Sequence, residues 1–274
     1  MVSFERVGSQ RQTMLKMGWR ILLATGLSLG LSLGVGLRSS AQDQYPRNTP
    51  PELQAYLTRL ENAANRHDSD ALIQFYSPDF TNSDDLDRSQ LSETLQALWE
   101  EYTNLNYFTQ LESWEQQGDR LVLETTTFIT GTQTENNREM RMKATIRSRQ
   151  FLQGEQIVRQ DILSERTELL MGNPPDVTIN LPDRVAPGEK FNFDAIVKTP
   201  LGSDLLLGAA IEEEVSGDRY LNYEAFDLEL LQAGGLFKQG TAPDESGDRW
   251  ISAILISGEG TIVITNRLRV EVEE

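Results

Sequence analysis

The chain has 274 residues, with 25 lysines and arginines against 42 aspartates and glutamates, so its formal net charge is −17 at pH 7. This acidity argues against nucleic acid as a partner, because phosphate backbones bind basic surfaces. The absence of cysteine excludes disulfides, thiolate metal sites and cysteine nucleophiles, and a single histidine argues against a zinc centre. We therefore predict no metal, and nothing in the composition calls for a cofactor.

Residues 1–41 have the order of an export signal. A basic segment precedes an apolar run, and the small side chains of Ser39 and Ala41 follow it, as a signal peptidase requires. We predict cleavage between Ala41 and Gln42, which would give a periplasmic or secreted protein. The alternative is an uncleaved inner-membrane anchor, since the run is about the shortest that can span a bilayer. Only in that case would the membrane be a partner.

Three helices are predicted in the next part of the chain. Residues 42–51 are polar and rich in proline, which is typical of a linker. From residue 52, apolar side chains recur every three or four positions, which predicts a helix that ends near His67. Asp68 is suited to cap a second helix and Ser89 a third.

Beyond these helices the periodicity changes from helical to alternating, which predicts strands. Polar turns, two of them containing glycine, separate the runs and indicate hairpins. The strand-like runs cover residues 105–116, 119–132, 138–152 and 156–168. Three helices followed by an antiparallel meander predict an α+β domain over residues 52–171.

A second domain is predicted after a short linker at residues 172–175. Residues 176–274 contain about seven short strands, which is typical of an immunoglobulin-like β-sandwich. Because cysteine is absent, only the architecture of such a domain is implied. The linker contains glycine and two prolines, so we expect few contacts to cross it.

Residues 61–72 (ENAANRHDSDAL) and residues 75–80 (FYSPDF) resemble the opening of the nuclear transport factor 2-like superfamily. This superfamily includes the SnoaL-like polyketide cyclases and the ketosteroid isomerases. The resemblance covers residues 50–170 and implies a cone, in which a curved sheet wraps around helices and encloses a pocket. It implies no particular activity, because this fold carries unrelated functions.

Two residues are candidates for catalysis. Ketosteroid isomerases place a base just after the second helix, and the resemblance puts that position at Asp84, which could abstract a proton from carbon. The family's tyrosine on the first helix would fall near Leu60, which cannot donate a hydrogen bond. The acidic stretch around Asp84 is also typical of a solvated loop. His67 is the second candidate, although the helix dipole alone favours a histidine at its position.

Aromatic side chains of the first domain are the best candidates for a ligand pocket. Most aromatic residues pack in cores, but in a cone some of them line the cavity. Tyr76, Phe80, Trp99 and Tyr102 are predicted to form a hydrophobic pocket for a small apolar ligand.

A basic stripe lies on the strand predicted over residues 138–152. Side chains alternate between the faces of a strand, so four cations should face out while the opposite register faces the helices. The outward residues are Arg141, Lys143, Arg147 and Arg149, and the inward residues are Met140, Met142, Ala144 and Ile146. The cations could pair with neighbouring acids, namely Glu112, Glu124, Asp161 or Glu165. Alternatively, they could dock an acidic protein partner or a second copy in a homodimer.

Together these patterns favour an exported, non-catalytic binding or interaction protein, with the β-sandwich as a spacer or adhesion module. One alternative is an enzyme of the isomerase, dehydratase or cyclase type that uses Asp84. The other is a membrane-anchored scaffold of the cell envelope.

Overall fold

A computed structural model describes residues 44–102, 104–135, 138–198, 205–217, 227–231 and 234–272. The predicted leader and its cleavage site lie outside these residues. Within the described ranges, no helix combines the length and apolar character that a membrane crossing requires.

Three helices form in the first region: α1 (Pro51–Asn65), α2 (Ser69–Ile73) and α3 (Arg88–Glu101). The side chain of Asp68 accepts a hydrogen bond from the Ala71 amide at 2.9 Å, so it caps α2 as predicted. The cap of α3 is Asp87 and not Ser89. Asp87 and Gln90 each accept a hydrogen bond from the other's backbone amide, which satisfies two free amides at the start of the helix.

Five strands follow or separate these helices: β1 (Tyr76–Asn82), β2 (Asn106–Gln117), β3 (Arg120–Glu135), β4 (Arg138–Gln153) and β5 (Gln156–Gly172). Strands β2 to β5 form the antiparallel meander that the alternating pattern predicts. The second helix is short and ends at Ile73, and the chain continues as β1, which pairs in parallel with β5.

The remaining residues are almost entirely strand. The strands are β6 (Val177–Asn180), β7 (Arg184–Val185), β8 (Lys190–Val197), β9 (Leu206–Glu214), β10 (Glu229–Leu231), β11 (Gly235–Thr241), β12 (Arg249–Ile256) and β13 (Gly260–Val270). Strands β11, β8 and β6 form a three-stranded sheet. The described protein is thus mostly antiparallel sheet with few helices.

One ten-stranded sheet runs through both regions, in the order β10-β9-β12-β13-β5-β4-β3-β2, with β1 and β7 paired beside it. The junction is the antiparallel pair of β13 and β5, which extends from Gly260 opposite Gly172 to Asn266 opposite Arg166. The expectation that few contacts would cross the second linker is therefore wrong, because β5 is long enough to pair with both regions. The three-stranded sheet packs across a hydrophobic core against the C-terminal strands of the ten-stranded sheet. The ten-stranded sheet is not confined to this region, because it continues into the first region.

Strand β12 has both faces buried because it lies between two hydrophobic cores. Trp250 and Ile254 pack into the core of the first region, together with Val263 of β13. Ile251 and Leu255 point the opposite way, into the core shared with the three-stranded sheet. A strand that is covered on both faces needs apolar residues in both registers. This explains the nearly continuous apolar run of β12.

Candidate functional site

A buried arginine, Arg267, lies where the two regions meet. It stands on β13 directly opposite Trp250 of β12. On the other side of β13 is β5, whose Glu165 carboxylate is 3.0 Å from the Arg267 guanidinium. Both side chains lie on the face of the sheet that is turned toward the helices.

Asp84 reaches this arginine from the turn that follows β1. The side-chain oxygen of Asn82 accepts hydrogen bonds from the backbone amides of Asp84 at 3.0 Å and Leu86 at 2.7 Å, which closes the turn. Ser83 ties the turn to β5, because its amide donates to the carbonyl of Gln160 at 2.9 Å. The sequence makes such a turn because asparagine side chains readily bond nearby backbone amides. The turn directs the Asp84 carboxylate into the protein.

The guanidinium of Arg267 contacts three carboxylates. Nη1 and Nη2 donate to Oδ1 and Oδ2 of Asp84 at 2.9 and 2.7 Å, which is a bidentate pair. Nη2 also donates to Glu165 at 3.0 Å, and Nη1 donates to Asp248 at 2.9 Å. The Trp250 indole donates to the same oxygen of Glu165 at 3.0 Å. We call these five residues the Arg267 centre.

The Arg267 centre is shielded from water. The side chains of Arg267, Asp84 and Glu165 are 0%, 1% and 5% exposed, and only that of Asp248 reaches the surface. Burial raises the pKa of Glu165 above its usual range, since a charged carboxylate is costly there, while the nearby arginine and the indole hydrogen bond oppose the rise. No group of histidine, aspartate or glutamate in the described chain could hold a metal ion.

The stretch around Asp84 is exposed at Ser83, Asp85 and Asp87, as expected for a solvated loop, but Asp84 itself is only 2% exposed. Each of its carboxylate oxygens accepts a hydrogen bond from Arg267. A substrate that gave a proton to Asp84 would have to reach a carboxylate that is buried and already bound by Arg267. The arrangement is well suited to hold the C-terminal strands against the first region.

His67 occupies the turn that ends α1. Its φ of 53° lies in the left-handed region, which often terminates helices. Its Nε2 atom lies 3.3 Å from the carbonyl oxygen of Leu105, and its ring stacks on Trp99 with 5.2 Å between ring centroids. Burial lowers the pKa of His67, and the contact with the Leu105 carbonyl opposes this. These contacts give His67 a structural role. The sequence around it predicted only that a helix ends there.

The four predicted pocket residues are all buried in the core of the first region. Tyr76 and Phe80 meet edge to face at 4.9 Å, and the Trp99 indole donates to the hydroxyl of Tyr107 at 2.8 Å. Tyr102 is 0% exposed. The groove described below does not involve these side chains, so their role in a ligand pocket stays a prediction.

Sequence reasoning missed a buried glutamate on α1. Glu61 is 1% exposed, and its Oε2 accepts hydrogen bonds from the Thr109 amide at 3.2 Å and from Gln44 at 3.3 Å. Its other oxygen, Oε1, has no hydrogen-bond partner in the described chain. Burial raises the pKa of Glu61 to about 9, although the two hydrogen bonds act to lower it. The sequence did contain a sign of this burial. Glu61 follows Leu57 by four residues, and this spacing places both on the buried face of the helix.

Polar side chains also line the part of the sheet that faces the helices. Thr109 and Thr127 approach within 3.0 Å of each other, and the neighbouring pair of Thr125 and Ser148 within 3.2 Å. The next buried pair on this face is Gln150 opposite Gln160. The interior of the first region is therefore more polar than the predicted hydrophobic pocket.

The basic stripe faces outward on β4, and the methionine register is buried, as the alternation predicts. Arg147 and Arg149 both pair with Glu124, at 2.8 and 2.7 Å. Hydrogen bonds from Arg149 and Arg147 hold the pKa of Glu124 below its usual range.

Two other acids that were expected to pair with the basic stripe form different contacts. Glu165 turns inward because a bulge in β5 opposite Arg147 and Ser148 shifts the register by one residue. Asp161 stays on the outer face but pairs with Arg159 at 2.7 Å. Docking of a partner on the basic stripe stays a prediction.

Comparison with known proteins adds a family match for the second region. A family model described as "Domain of unknown function (DUF8623)" matches residues 172–271. Among curated proteins, none matches the chain.

Solved structures resemble part of the chain. AclR, a proposed hydroxylase from Streptomyces galilaeus, is 17% identical over 40% of this chain and 73% of its own, with a TM-score of 0.32. A protein with a ketosteroid isomerase-like fold from Catenulispora acidiphila is 17% identical over 42% and 85%, with a TM-score of 0.30. A proposed polyketide cyclase from Xanthomonas campestris is 19% identical over 40% and 87%, with a TM-score of 0.27.

Proposed function

We propose that this protein is an exported, non-catalytic binding protein, in which an immunoglobulin-like β region closes a cone of the nuclear transport factor 2-like type. The observation that carries the proposal is the bidentate pair of Asp84 and Arg267, with distances of 2.9 and 2.7 Å. Asp84, at the position that would supply a base in a cone enzyme, is bound by an arginine from the C-terminal strands. This arginine binds both oxygens of a carboxylate that is itself buried.

The proposed ligand is a small apolar molecule that carries one hydrogen-bonding group. Apolar contacts would come from the buried aromatic side chains around Trp99 and Tyr102. The partnerless oxygen of Glu61 would accept or donate a hydrogen bond to the polar group, because the raised pKa favours a protonated carboxyl there.

An isomerase assay tests the non-catalytic part of the proposal. Residues 42–274 would be incubated with 5-androstene-3,17-dione, and conversion to the conjugated ketone would be followed by absorbance. We expect no turnover above that of buffer. Turnover that disappears in Asp84→Asn but persists in Asp85→Asn would overturn the proposal and favour the enzyme alternative. Asp85 is the matched control because it is adjacent but exposed.

A dye titration tests the binding part. The fluorescence of 1-anilinonaphthalene-8-sulfonate should rise with one saturable site on residues 42–274. Trp99→Ala should change the dye affinity several-fold, whereas Phe128→Ala, on the exposed outer face, should not. An unchanged dye affinity in Trp99→Ala would remove Trp99 from the proposed site.

Sequencing of the N terminus tests the export part. Protein isolated from the native host should begin at Gln42. A start at Met1 in the membrane fraction would instead favour the anchored envelope scaffold.

A further inference from the structure

A groove lies on the surface at the junction of the two regions, away from the Arg267 centre. Its volume is about 660 Å³, within the range of small-molecule sites. The beginning of β4, the end of β5 and the turn between β12 and β13 form its walls. The groove therefore exists only because β13 pairs with β5.

Two glycines allow the backbones to meet at the base of this groove. Gly172 has a φ of 68°, and a Cβ atom there would lie 2.5 Å from the carbonyl oxygen of Glu259. A Cβ atom on Gly260 would lie 2.5 Å from the carbonyl oxygen of Met171. The turn is fixed further by Ser257, whose hydroxyl accepts from the amides of Glu259 and Gly260 at 3.3 Å each. The base of the groove is thus built from closely packed backbone.

Charged side chains of both signs line the groove: Arg138, Arg141, Glu139 and Glu259. Arg141 donates to the carbonyl oxygen of Gly172 at 3.0 Å. Within the described ranges, none of the four takes part in an ion pair within 4.0 Å. By contrast, Arg147 and Arg149, which lie farther along β4, both form ion pairs with Glu124.

We propose that the groove binds a small zwitterion of the amino-acid type. Its carboxylate would lie against Arg141, because that side chain shares the register of Glu139 on β4 and guanidinium groups match carboxylates in shape and charge. Its ammonium group would lie near Glu139 and Glu259. The half-buried side chains of Met171 and Ile256 would contact a short apolar body. Two carboxylates in the lining disfavour a polyanion, and two guanidinium groups disfavour a polyamine. This site is independent of the proposed ligand in the cone.

Isothermal titration of residues 42–274 with three compounds of one carbon skeleton tests the proposal. L-leucine carries both charges, 4-methylpentanoate lacks the ammonium group, and 3-methylbutylamine lacks the carboxylate. We expect saturable binding of L-leucine, with at least tenfold weaker binding of the other two. L-methionine and glycine betaine serve as additional zwitterions in case the apolar body differs in size.

Variants locate the site. The double change Arg138→Gln with Arg141→Gln should weaken binding of the zwitterion at least tenfold. The control is Arg147→Gln with Arg149→Gln, which removes two cations from the same strand outside the groove and should leave binding unchanged. Glu259→Gln should weaken L-leucine binding and tighten that of 4-methylpentanoate. Melting curves of each variant would verify its fold.

Three outcomes would overturn the proposal. The first is that none of the zwitterions binds saturably. The second is that 4-methylpentanoate binds as well as L-leucine, which would make the groove a simple anion site. The third is that the control variant loses binding as strongly as the groove variant, which would indicate only a general effect of net charge.

Discussion

The Arg267 centre and the Glu124 cluster contain the same chemistry in two environments. In the first, one arginine binds three carboxylates, and its side chain is 0% exposed. In the second, one glutamate binds Arg147 and Arg149, whose side chains are 51% and 44% exposed. Both clusters have distances of 2.7 to 3.0 Å, so their geometry is similar. Their burial is what differs.

Burial changes what each ion pair contributes. Exposed pairs contribute about 0–1 kcal/mol, because water and salt already stabilise the separate charges. A buried pair adds little compared with apolar residues of the same shape, yet loss of one partner leaves an uncompensated charge. Loss of Arg267 should therefore weaken the junction of the two regions strongly. Loss of one arginine of the Glu124 cluster should not.

The largest effect is expected from Arg267→Met. This change leaves Asp84 and Glu165 buried without their cation, so the free energy of unfolding should fall by about 3–5 kcal/mol. Urea denaturation of residues 42–274 at pH 7 would measure it. Arg149→Met is the control and should cost less than about 1 kcal/mol. If the two variants lost equal stability, the contrast between the buried and the exposed cluster would be wrong.

A pH series comes next, and it concerns Glu61. Its pKa of about 9 in the fold exceeds the ordinary value of 4.5, so between these values the folded chain keeps a proton that the unfolded chain releases. Stability should therefore fall as the pH rises through this window, by up to about 1.4 kcal/mol per pH unit from this group. Glu61→Gln should flatten the pH dependence, measured by urea denaturation at pH 5.5, 7 and 8.5. Glu52→Gln, a change at an exposed position of the same helix, should leave the pH dependence of stability unchanged.

A smaller effect is expected from Trp250→Phe. The indole of Trp250 donates to buried Glu165 at 3.0 Å, and phenylalanine cannot replace that donor. The loss should be about 1–3 kcal/mol by urea denaturation. Trp114→Phe is the matched control, since the Trp114 indole nitrogen is buried without a hydrogen-bond partner among the described residues. A larger loss in the control would show that tryptophan packing, and not the hydrogen bond, sets the cost.

The smallest effect is expected from the double change Arg147→Gln with Arg149→Gln. It should lower stability by less than about 1 kcal/mol, and added salt should reduce the difference. The molecular mass in solution, measured by light scattering, should not change if the arginines serve only Glu124. A change in mass would instead support the prediction that the basic stripe docks a second copy.

Local patterns of the sequence were sufficient for much of the first region. Alternation placed Arg141 outside and Met142 inside β4, because adjacent residues of a strand face opposite sides. They were insufficient at Glu165, where a bulge in β5 reverses the register. A bulge depends on how two strands pair, so one strand's sequence does not reveal it.

The sequence by itself determined the acidity, the lack of cysteine, the presence of three helices and the meander of four long strands. These properties depend on composition or on residues close in the chain. Only the tertiary structure decided that Arg267 binds Asp84, which is 183 residues away in the chain. It likewise decided that both regions share one sheet. The partner of a buried charge is chosen by strand pairing between distant segments, and periodicity along the chain carries no information about that choice.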